Sequence, residues 1–141
     1  MQFKYPFKIV RNDRLPFIDI QITNKEKNIS TNYRALLDSG AYANIFHSDI
    51  AKVLDINLSK IRQTELFTGV KEERRQMRGK PYIVELMVTQ KGKSFKFESL
   101  VIFSDEISNR GYGLLDRQGF FDQFRQVCFN YKTNKFYLQR G

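Results

Sequence analysis

The chain has almost no cysteine or histidine and no long apolar segment. Its 141 residues include one cysteine, Cys128, and one histidine, His47. A disulfide within the chain is therefore excluded, and so is a Cys/His zinc site, which needs several such ligands. No apolar run approaches the roughly 18 residues of a transmembrane helix, and residues 1–10 do not form a signal-peptide core. We expect a soluble, cytoplasmic protein with no metal, no cofactor and no membrane partner.

Positive charge dominates the composition. Lys and Arg number 24 against 15 Asp and Glu, which gives a net charge of +9. The hydrophobic fraction of 41%, with 13 Phe and 7 Tyr, supplies enough core material to exclude a disordered basic tail. The length predicts a single domain over residues 1–141. This charge suggests nucleic acid or an acidic protein as a partner. The basic residues are scattered over strand faces and turns, however, so nucleic acid is not expected.

Alternation of apolar and polar residues with period two predicts strands along most of the chain. The first covers residues 3–9, where Pro6 indicates an edge position because proline cannot donate to a ladder. The others cover residues 18–23, 33–37, 82–88, 95–103, 125–131 and 136–139. Turns at 90–93 and 132–135 join the last four into two hairpins. This pattern favours an all-β fold, a mostly antiparallel barrel or sandwich.

One short helix is predicted after the strand-rich first third of the chain. Ser48 is a good N-cap residue, Asp49 suits the first turn, and apolar residues at helical spacing continue to Leu54. The helix is then about two turns long. The adjacent His47, Ser48 and Asp49 do not predict a nucleophilic triad, because neighbours along a chain do not point at one another.

Other chemistry-bearing residues are interpreted as core. Cys128 lies in a strand pattern and is expected to be a small buried hydrophobe, not a reactive thiol. Phe120, Phe121 and Phe124 are predicted to pack in the core instead of forming a base-stacking surface. Residues 111–113 lack the strand-to-helix context of a phosphate-binding glycine loop.

The sharpest local motif is Ala-Leu-Leu-Asp-Ser-Gly-Ala at residues 35–41. An acid placed after a buried strand is costly unless its charge is used or satisfied, which draws attention to Asp38. Gly40 permits a close backbone turn beside it, and the Ser39 hydroxyl can hold the loop. Asp-Ser-Gly is also a common turn sequence, so a purely structural corner is the alternative.

Two sequence blocks resemble one protein family. Residues 36–41 resemble the half-site of retroviral-type aspartic proteases, a hydrophobic pair followed by Asp-Thr/Ser-Gly-Ala. Residues 114–124, Leu-Leu-Asp-Arg-Gln-Gly-Phe-Phe-Asp-Gln-Phe, are similar to a segment of cellular retropepsin-like proteins in prokaryotes, which also have a Phe-Ser-Asp stretch like residues 103–105. The resemblance spans about residues 16–138. It implies an acid-protease-like closed antiparallel β-barrel with one or two short helices and one lobe per chain.

The resemblance implies an aspartic endopeptidase that hydrolyses a peptide or protein substrate. Asp38 would be the catalytic acid and base, with Ser39 and Gly40 shaping the site. Two aspartates share a proton in such a site, and this sequence contains one Asp-Ser-Gly. A symmetric homodimer that contributes Asp38 twice is therefore required. We expect the dimer contact at the C-terminal strand, residues 136–138, because a terminal apolar strand with unpaired edges invites a partner.

A flap is implied at residues 66–72, between the helix and the strand at 82–88. Substrate would contact Thr68, Gly69 and Val70 of this flap and Ala41 of the half-site. Related flaps carry several glycines, whereas this segment has one and then a run of charged residues. The alternative is an exposed hairpin whose charges keep it soluble.

Leu115, Asp116 and Arg117 are predicted to lie near the site as structural residues. The family pattern has glycine where this sequence has Asp116, and a charged side chain beneath the catalytic aspartate would weaken activity. The partner of Arg117 stays open between Asp116, Asp122 and a residue across the dimer. A catalytically degenerate module is the rival hypothesis, binding nucleic acid or an acidic protein through the basic flap region: Lys71, Arg74, Arg75, Arg78 and Lys80.

Overall fold

The computed structural model describes residues 1–40, 43–67, 76–108 and 110–141. The strands are β1 (Gln2–Pro6), β2 (Lys8–Val10), β3 (Asp13–Leu15), β4 (Phe17–Asn24), β5 (Ile29–Leu37), β6 (Asn44–His47), β7 (Glu65–Phe67), β8 (Met77–Gln90), β9 (Lys93–Ser104), β10 (Tyr112–Leu115), β11 (Gln126–Asn130) and β12 (Lys135–Gln139). The helices are α1 (Ser48–Val53) and two 3₁₀ turns, Leu58–Lys60 and Phe121–Gln123. In these ranges no helix has the length and apolarity needed to cross a bilayer.

Six strands close into a β-barrel. They pair in the order β4, β5, β10, β6, β9 and β8, and β8 returns to pair with β4. Four of these seams are antiparallel, while β5 with β10 and β6 with β9 run parallel. The predicted all-β class and closed barrel are confirmed, with parallel seams that short hairpin connections cannot produce.

The barrel interior is filled by the faces that the period-two pattern predicts. Ile20 and Ile22 of β4 and Leu86 of β8 are almost completely buried, as the alternation requires. The aromatic cluster also lies in the core. The Phe120 ring lies 5.3 Å from that of Phe124 and 6.2 Å from that of Phe121, centroid to centroid.

The two ends of the chain meet in a separate three-stranded sheet. Its order is β1, β12, β11, with both pairings antiparallel. Phe3, Phe136 and Leu138 are fully buried and pack into the same core as the barrel. Because β1 is an outer strand of this sheet, the edge position predicted from Pro6 is confirmed.

The single strand predicted over residues 3–9 is wrong in its second half. The chain breaks at Phe7 into β1 and β2, and β2 pairs instead with β3 as a two-stranded ribbon. Ile9 is 72% exposed, although the alternation placed it in the core. Arg11 and Asn12 form the ribbon turn with positive φ, and this tight turn directs the ribbon away from the core.

The helix begins one residue earlier than predicted, because its N-cap is His47 and not Ser48. His47 is the N-cap, and its Nδ1 accepts the backbone N–H of Asp49 at 3.1 Å. Ser48 is the first helical residue, so the prediction of Ser48 as the cap is wrong. His47 is extended and carries its own acceptor, which satisfies the amide that a serine would otherwise have capped.

Two predictions about the C-terminal strands are wrong. Cys128 is exposed on β11, because the outer face of the terminal sheet is turned away from the barrel. The segment 136–138 lies in β12, which pairs with β1 on one side and with β11 on the other. It therefore has no free edge to offer a second copy, and its apolar side chains already fill the core.

Candidate active site

Asp38 lies where β5 leaves the barrel. The last strand residue, Leu37, donates its backbone N–H to the carbonyl of Pro16 at 3.0 Å, and the N–H of Asp38 bonds to the carbonyl of Leu115 at 2.9 Å. Leu37 and Leu115 are buried and face each other in the parallel seam. The sequence Leu-Leu-Asp thus anchors two apolar residues in the barrel and delivers the carboxylate at its edge.

The backbone turns back on the carboxylate directly after Asp38. The N–H of Gly40 donates to Asp38 Oδ1 at 2.9 Å. A Cβ atom at Gly40 would lie 3.3 Å from the same oxygen, so the tight approach is easiest for glycine. Asp38 is half-buried, while Ser39 and Gly40 are exposed. The arrangement orients one carboxylate oxygen through the backbone and keeps the group accessible from outside.

An apolar cavity opens beside Asp38. Its volume is about 60 Å³, several times what one water molecule needs. The lining residues come from the ends of β5 and β10 and from the segment before β10: Leu36, Asp38, Ile107, Ser108, Arg110, Tyr112 and Leu114. An apolar cavity beside an acid can hold a substrate side chain while the acid acts on a neighbouring bond.

The base of a hairpin lies next to this cavity. β7 pairs with the start of β8, and Phe67 is opposite Met77. Both side chains are buried in one cluster with Ile107 and Leu114, which also line the cavity. The implied flap continues from this pair. Its substrate residues Thr68, Gly69 and Val70, and Ala41 of the half-site, lie outside the described residues.

A buried polar network supports the loop after β10. Asn44 is completely buried, and its Oδ1 accepts the backbone N–H of Asp116 at 2.9 Å. Its Nδ2 donates to Ser99 Oγ at 2.8 Å, and that hydroxyl donates to the carbonyl of Gly119 at 2.6 Å. The loop that begins at Asp116 is therefore fixed by side chains from β6 and β9.

The Asp116 side chain itself is poorly satisfied. It is 2% exposed, and its Oδ1 has no hydrogen-bond partner among the described residues. Its backbone is well used, because its N–H bonds to Asn44 and its carbonyl accepts the N–H of Phe121 at 3.0 Å. An unpaired buried carboxyl oxygen is an energetic cost that the glycine of the family pattern would not carry.

The carbonyl of Leu115 accepts the N–H of Asp38, Asp116 is buried directly after it, and Arg117 lies on the surface. Arg117 is exposed, and within the described ranges no ion pair joins it to Asp116 or Asp122. The Asp122 carboxylate instead accepts the N–H of Gly119 at 3.1 Å. Two of the proposed partners of Arg117 within the chain are therefore not used.

Sequence reasoning missed Asn44, Ser99 and Gly119. The signal for Ser99 was present, because alternation places it on the buried face of its strand with Phe97 and Val101, where a hydroxyl needs a partner. Gly119 has a φ of 99°, and a Cβ there would lie 2.8 Å from both Asn44 Nδ2 and Ser99 Oγ. The pairing of these residues across three elements has no local sequence signature.

Tyr33 packs behind the site on β5. Its ring meets that of Phe46 edge-on at 5.4 Å between centroids, and its hydroxyl has no partner among the described residues. Burial, with smaller contributions from the charges of Asp49 and Tyr112, raises the pKa of Tyr33 to about 12. In the same described ranges no group of three His, Cys, Asp or Glu side chains is placed to hold a metal ion.

The fold has a counterpart among solved structures. A scan against protein-family models gives no match, and neither does a search of curated proteins. The chain is similar to the crystal structure of a retropepsin-like aspartic protease from Rickettsia conorii, with a TM-score of 0.64 and 16% sequence identity. The match covers 99% of this chain and 92% of that one. This chain therefore has the fold of a retropepsin-like aspartic protease.

Proposed function

We propose that residues 1–141 are a single domain that forms one half of a homodimeric aspartic endopeptidase. The observation that carries the proposal is the placement of Asp38. Its backbone is held by Leu115, its carboxylate is oriented by the N–H of Gly40, and an apolar cavity opens beside it. The likeness in fold to a retropepsin-like aspartic protease supports this reading of the geometry. The motif Asp38-Ser39-Gly40 is then a catalytic half-site.

A second copy is needed because the chemistry requires two carboxyl groups. In the dimer the Asp38 of each copy faces the other, and like charges at short distance cannot both ionise, so the pair holds one proton. The ionised carboxylate removes a proton from a water molecule, which attacks the peptide carbonyl carbon. The protonated carboxyl gives its proton to the carbonyl oxygen. The carboxyl group that took the water proton then gives it to the amine nitrogen. The C–N bond breaks, the amine leaves, and the other carboxylate takes back a proton from a hydroxyl of the intermediate.

The substrate is an extended peptide with a side chain in the apolar cavity. Leu36 and Leu114 favour an apolar side chain there, since burial of apolar surface is the main gain available in such a recess. Ala41, Thr68, Gly69 and Val70 remain the proposed peptide contacts. A hairpin that continues from β7 and β8 would cover the peptide and exclude water. We also infer a cytoplasmic location, which a chain with one cysteine suits.

The non-proteolytic alternative is not favoured by the likeness in fold. Of its five basic residues, Arg78 and Lys80 lie in the described part of the chain. Lys80 Nζ donates to Thr64 Oγ1 at 3.0 Å, and Arg78 pairs in the ladder between β7 and β8. Neither placement points to a nucleic acid.

The test is peptide-library digestion by the wild type and by Asp38→Asn. We expect the variant to lose at least about 10³-fold in kcat/KM, because the amide cannot act as acid or base. Asp19→Asn is the matched control, since Asp19 is an exposed aspartate of β4 that lies 3.6 Å from Arg34. Cleavage that survives Asp38→Asn would show that another group carries the reaction. Absence of any cleavage by a dimeric wild type would also reject the proposal.

A further inference from the structure

A short segment after β9 lines two cavities. Ile107 and Ser108 line the apolar cavity of about 60 Å³ in the candidate active site. The two residues before them, Asp105 and Glu106, line a second cavity of about 320 Å³. We call residues 105–108 the cavity wall. Because close packing normally fixes a segment in place, a segment that borders two cavities has fewer neighbouring atoms to hold it.

The strand ladders do not reach the cavity wall. Strand β9 ends at Ser104 and β10 begins at Tyr112, so the wall lies between strands. The ladder between β8 and β9 ends with the pair Lys80 and Phe103. Residues 77–79, at the start of β8, extend past this pair and have β7 as their strand neighbour. Among the described residues, the opposite edge of β8 therefore depends here on side chains.

Two side chains bind that edge. Ser104 Oγ donates to the backbone carbonyl of Arg78 at 2.5 Å, and the backbone N–H of Arg78 donates to Glu106 Oε2 at 2.6 Å. The backbone N–H of Glu106 in turn donates to Ser104 Oγ at 3.1 Å. A carboxylate makes a stronger hydrogen bond with an amide than a neutral acceptor does. We call Ser104 and Glu106 the clamp, because together they hold both backbone groups of Arg78.

The clamp lies where β8 and β9 approach each other most tightly. Gly79 is buried, and a Cβ atom there would lie 2.8 Å from the backbone carbonyl of Phe103 and 3.2 Å from the Cβ of Ser104. Only glycine permits such a close approach of two backbones. The clamp therefore continues a direct strand contact, and its position is fixed by the barrel.

Apolar packing joins the cavity wall to the same hairpin base. Ile107 is buried in one cluster with Phe67 and Met77, which lie opposite each other across β7 and β8. Glu106 is the residue before Ile107, and Ser108 is the residue after it. The clamp is thus only one residue away from the first side chain that lines the apolar cavity.

We propose that Glu106, assisted by Ser104, is a positioning residue that sets the shape of the apolar cavity beside Asp38. This inference rests on the proposed function, in which that cavity receives a substrate side chain. Without the carboxylate, the wall has room to move into the second cavity, so the apolar cavity widens. A widened cavity loses contacts with a large apolar side chain. Because Glu106 acts through Ile107, the effect falls on substrate selection and not on the chemical step.

The test compares Glu106→Ala with Asp105→Ala. Each variant loses one carboxylate from the same segment, but Asp105 is exposed and lies outside the clamp. The substrates are two peptides that differ by Leu or Ala at the position where the wild type selects an apolar residue. We expect the ratio of kcat/KM for Leu over Ala to fall about tenfold in Glu106→Ala, chiefly through KM of the Leu peptide. In Asp105→Ala the ratio should stay within about twofold of the wild type.

Two further variants separate the hydrogen bonds from charge and from folding. Glu106→Gln keeps an acceptor oxygen, so it should restore the ratio to within about threefold of the wild type. Ser104→Ala removes a small buried hydroxyl and should lower the ratio in the same direction as Glu106→Ala. An unchanged ratio in Glu106→Ala, or in Ser104→Ala where Glu106→Ala does not fold, would overturn the proposal.

Amide hydrogen exchange reports on the clamp directly. The backbone N–H of Arg78 should exchange about tenfold faster in Glu106→Ala than in the wild type, because its acceptor is gone. Asp105→Ala should leave this rate unchanged. Equal exchange rates in the wild type and Glu106→Ala would show that the bond does not hold Arg78 in solution, and would overturn the proposal.

Peptide binding in the Asp38→Asn background distinguishes this proposal from the proposed function, since binding needs no catalysis. If the wild type cleaves peptides and the Leu-to-Ala ratio does not depend on Glu106, the positioning role is wrong while the proposed function stands. If no peptide is cleaved but the ratio of affinities falls in Glu106→Ala, the positioning role stands and the endopeptidase is wrong. A chain that neither cleaves nor binds peptides would overturn both.

Discussion

The side-chain Oδ1 of Asn44 accepts the backbone N–H of Asp116 at 2.9 Å, and both residues are almost fully shielded from solvent. This bond joins the start of β6 to the end of β10. Leu115, the residue before Asp116, supplies the carbonyl that holds the backbone of Asp38. Asn44 therefore acts indirectly on Asp38, the proposed catalytic residue, as a positioning residue.

Removal of the Asn44 amide should destabilise the fold. Asn44→Ala leaves the N–H of Asp116 without its partner in a buried place, and it removes a donor to Ser99 Oγ. Each unsatisfied buried group costs about 1–3 kcal/mol, so we expect the free energy of unfolding to fall by roughly 2–4 kcal/mol. Urea denaturation measures it. Asn32→Ala, at an exposed asparagine of β5, should change stability by less than about 0.5 kcal/mol, and an equal loss there would contradict the network.

Truncation of the Asp116 side chain should stabilise the fold instead. Its Oδ1 is buried without a partner, and its backbone bonds do not need the side chain. We expect Asp116→Ala to raise the free energy of unfolding by about 1 kcal/mol and to leave cleavage at least as fast. Asp122→Ala is the control and should lower stability slightly, because it loses the bond from Gly119. A large loss of stability in Asp116→Ala would mean that the carboxyl group finds a partner in the assembled dimer.

Gly40→Ala should affect turnover more than stability. An added Cβ would lie 3.3 Å from Asp38 Oδ1, so the carboxylate must move by a few tenths of an ångström. Small displacements of a reacting group are costly, and we expect kcat to fall about tenfold or more. Gly40 is exposed, so the thermal midpoint should hardly change. Gly141→Ala, with nothing within 4 Å, is the matched control. Unchanged kcat in Gly40→Ala would argue against this carboxylate as the reacting group.

Tyr33 should make the fold sensitive to alkali. Its pKa is raised to about 12 in the folded chain, above the ordinary value of 10, so the unfolded chain loses this proton first as pH rises. The contribution of this pKa shift to the free energy of unfolding is fully present below pH 10 and is lost between pH 10 and about 12. Tyr33→Phe removes a hydroxyl without a partner and should flatten this pH dependence in chemical denaturation. An unchanged alkaline transition would contradict it.

Tyr82→Phe is the control for that measurement. Burial and a hydrogen bond to Glu26 raise the pKa of Tyr82 as well, but its hydroxyl is satisfied by that bond at 3.2 Å. At neutral pH we therefore expect Tyr33→Phe to stabilise the fold and Tyr82→Phe to be neutral or weakly destabilising.

The barrel strands could be predicted because their cause is local. Ile18, Ile20 and Ile22 alternate with polar residues, and burial on one face enforces that alternation wherever the strand pairs. Ile9 follows the same alternation and is nevertheless exposed, on a ribbon that pairs only β2 with β3 among the described strands. A period of two indicates a strand with one apolar and one polar face, but it does not show whether the apolar face is buried.

The candidate site could be proposed in part from the sequence for a similar reason. Asp38, Ser39 and Gly40 are adjacent in sequence and form a motif, and Leu115 belongs to a second motif. The Asn44 amide and the Ser99 hydroxyl are brought together by the parallel seam of β6 and β9. Parallel seams join segments that are distant along the chain, so no local sequence pattern predicts the contacts between them. The exposure of Cys128 depends likewise on which face of the terminal sheet meets the barrel.

The bond from Asp38 to the carbonyl of Leu115 also sets the order in which the molecule can mature. β5 emerges early during synthesis, whereas its parallel neighbour β10 is among the last strands of the barrel to be made. Contacts between such distant segments form late, because the intervening chain must first be ordered. A nascent chain or a fragment that ends before Tyr112 has the Asp-Ser-Gly motif without its support. Completion of the barrel, and not translation of the motif, is the event that positions Asp38.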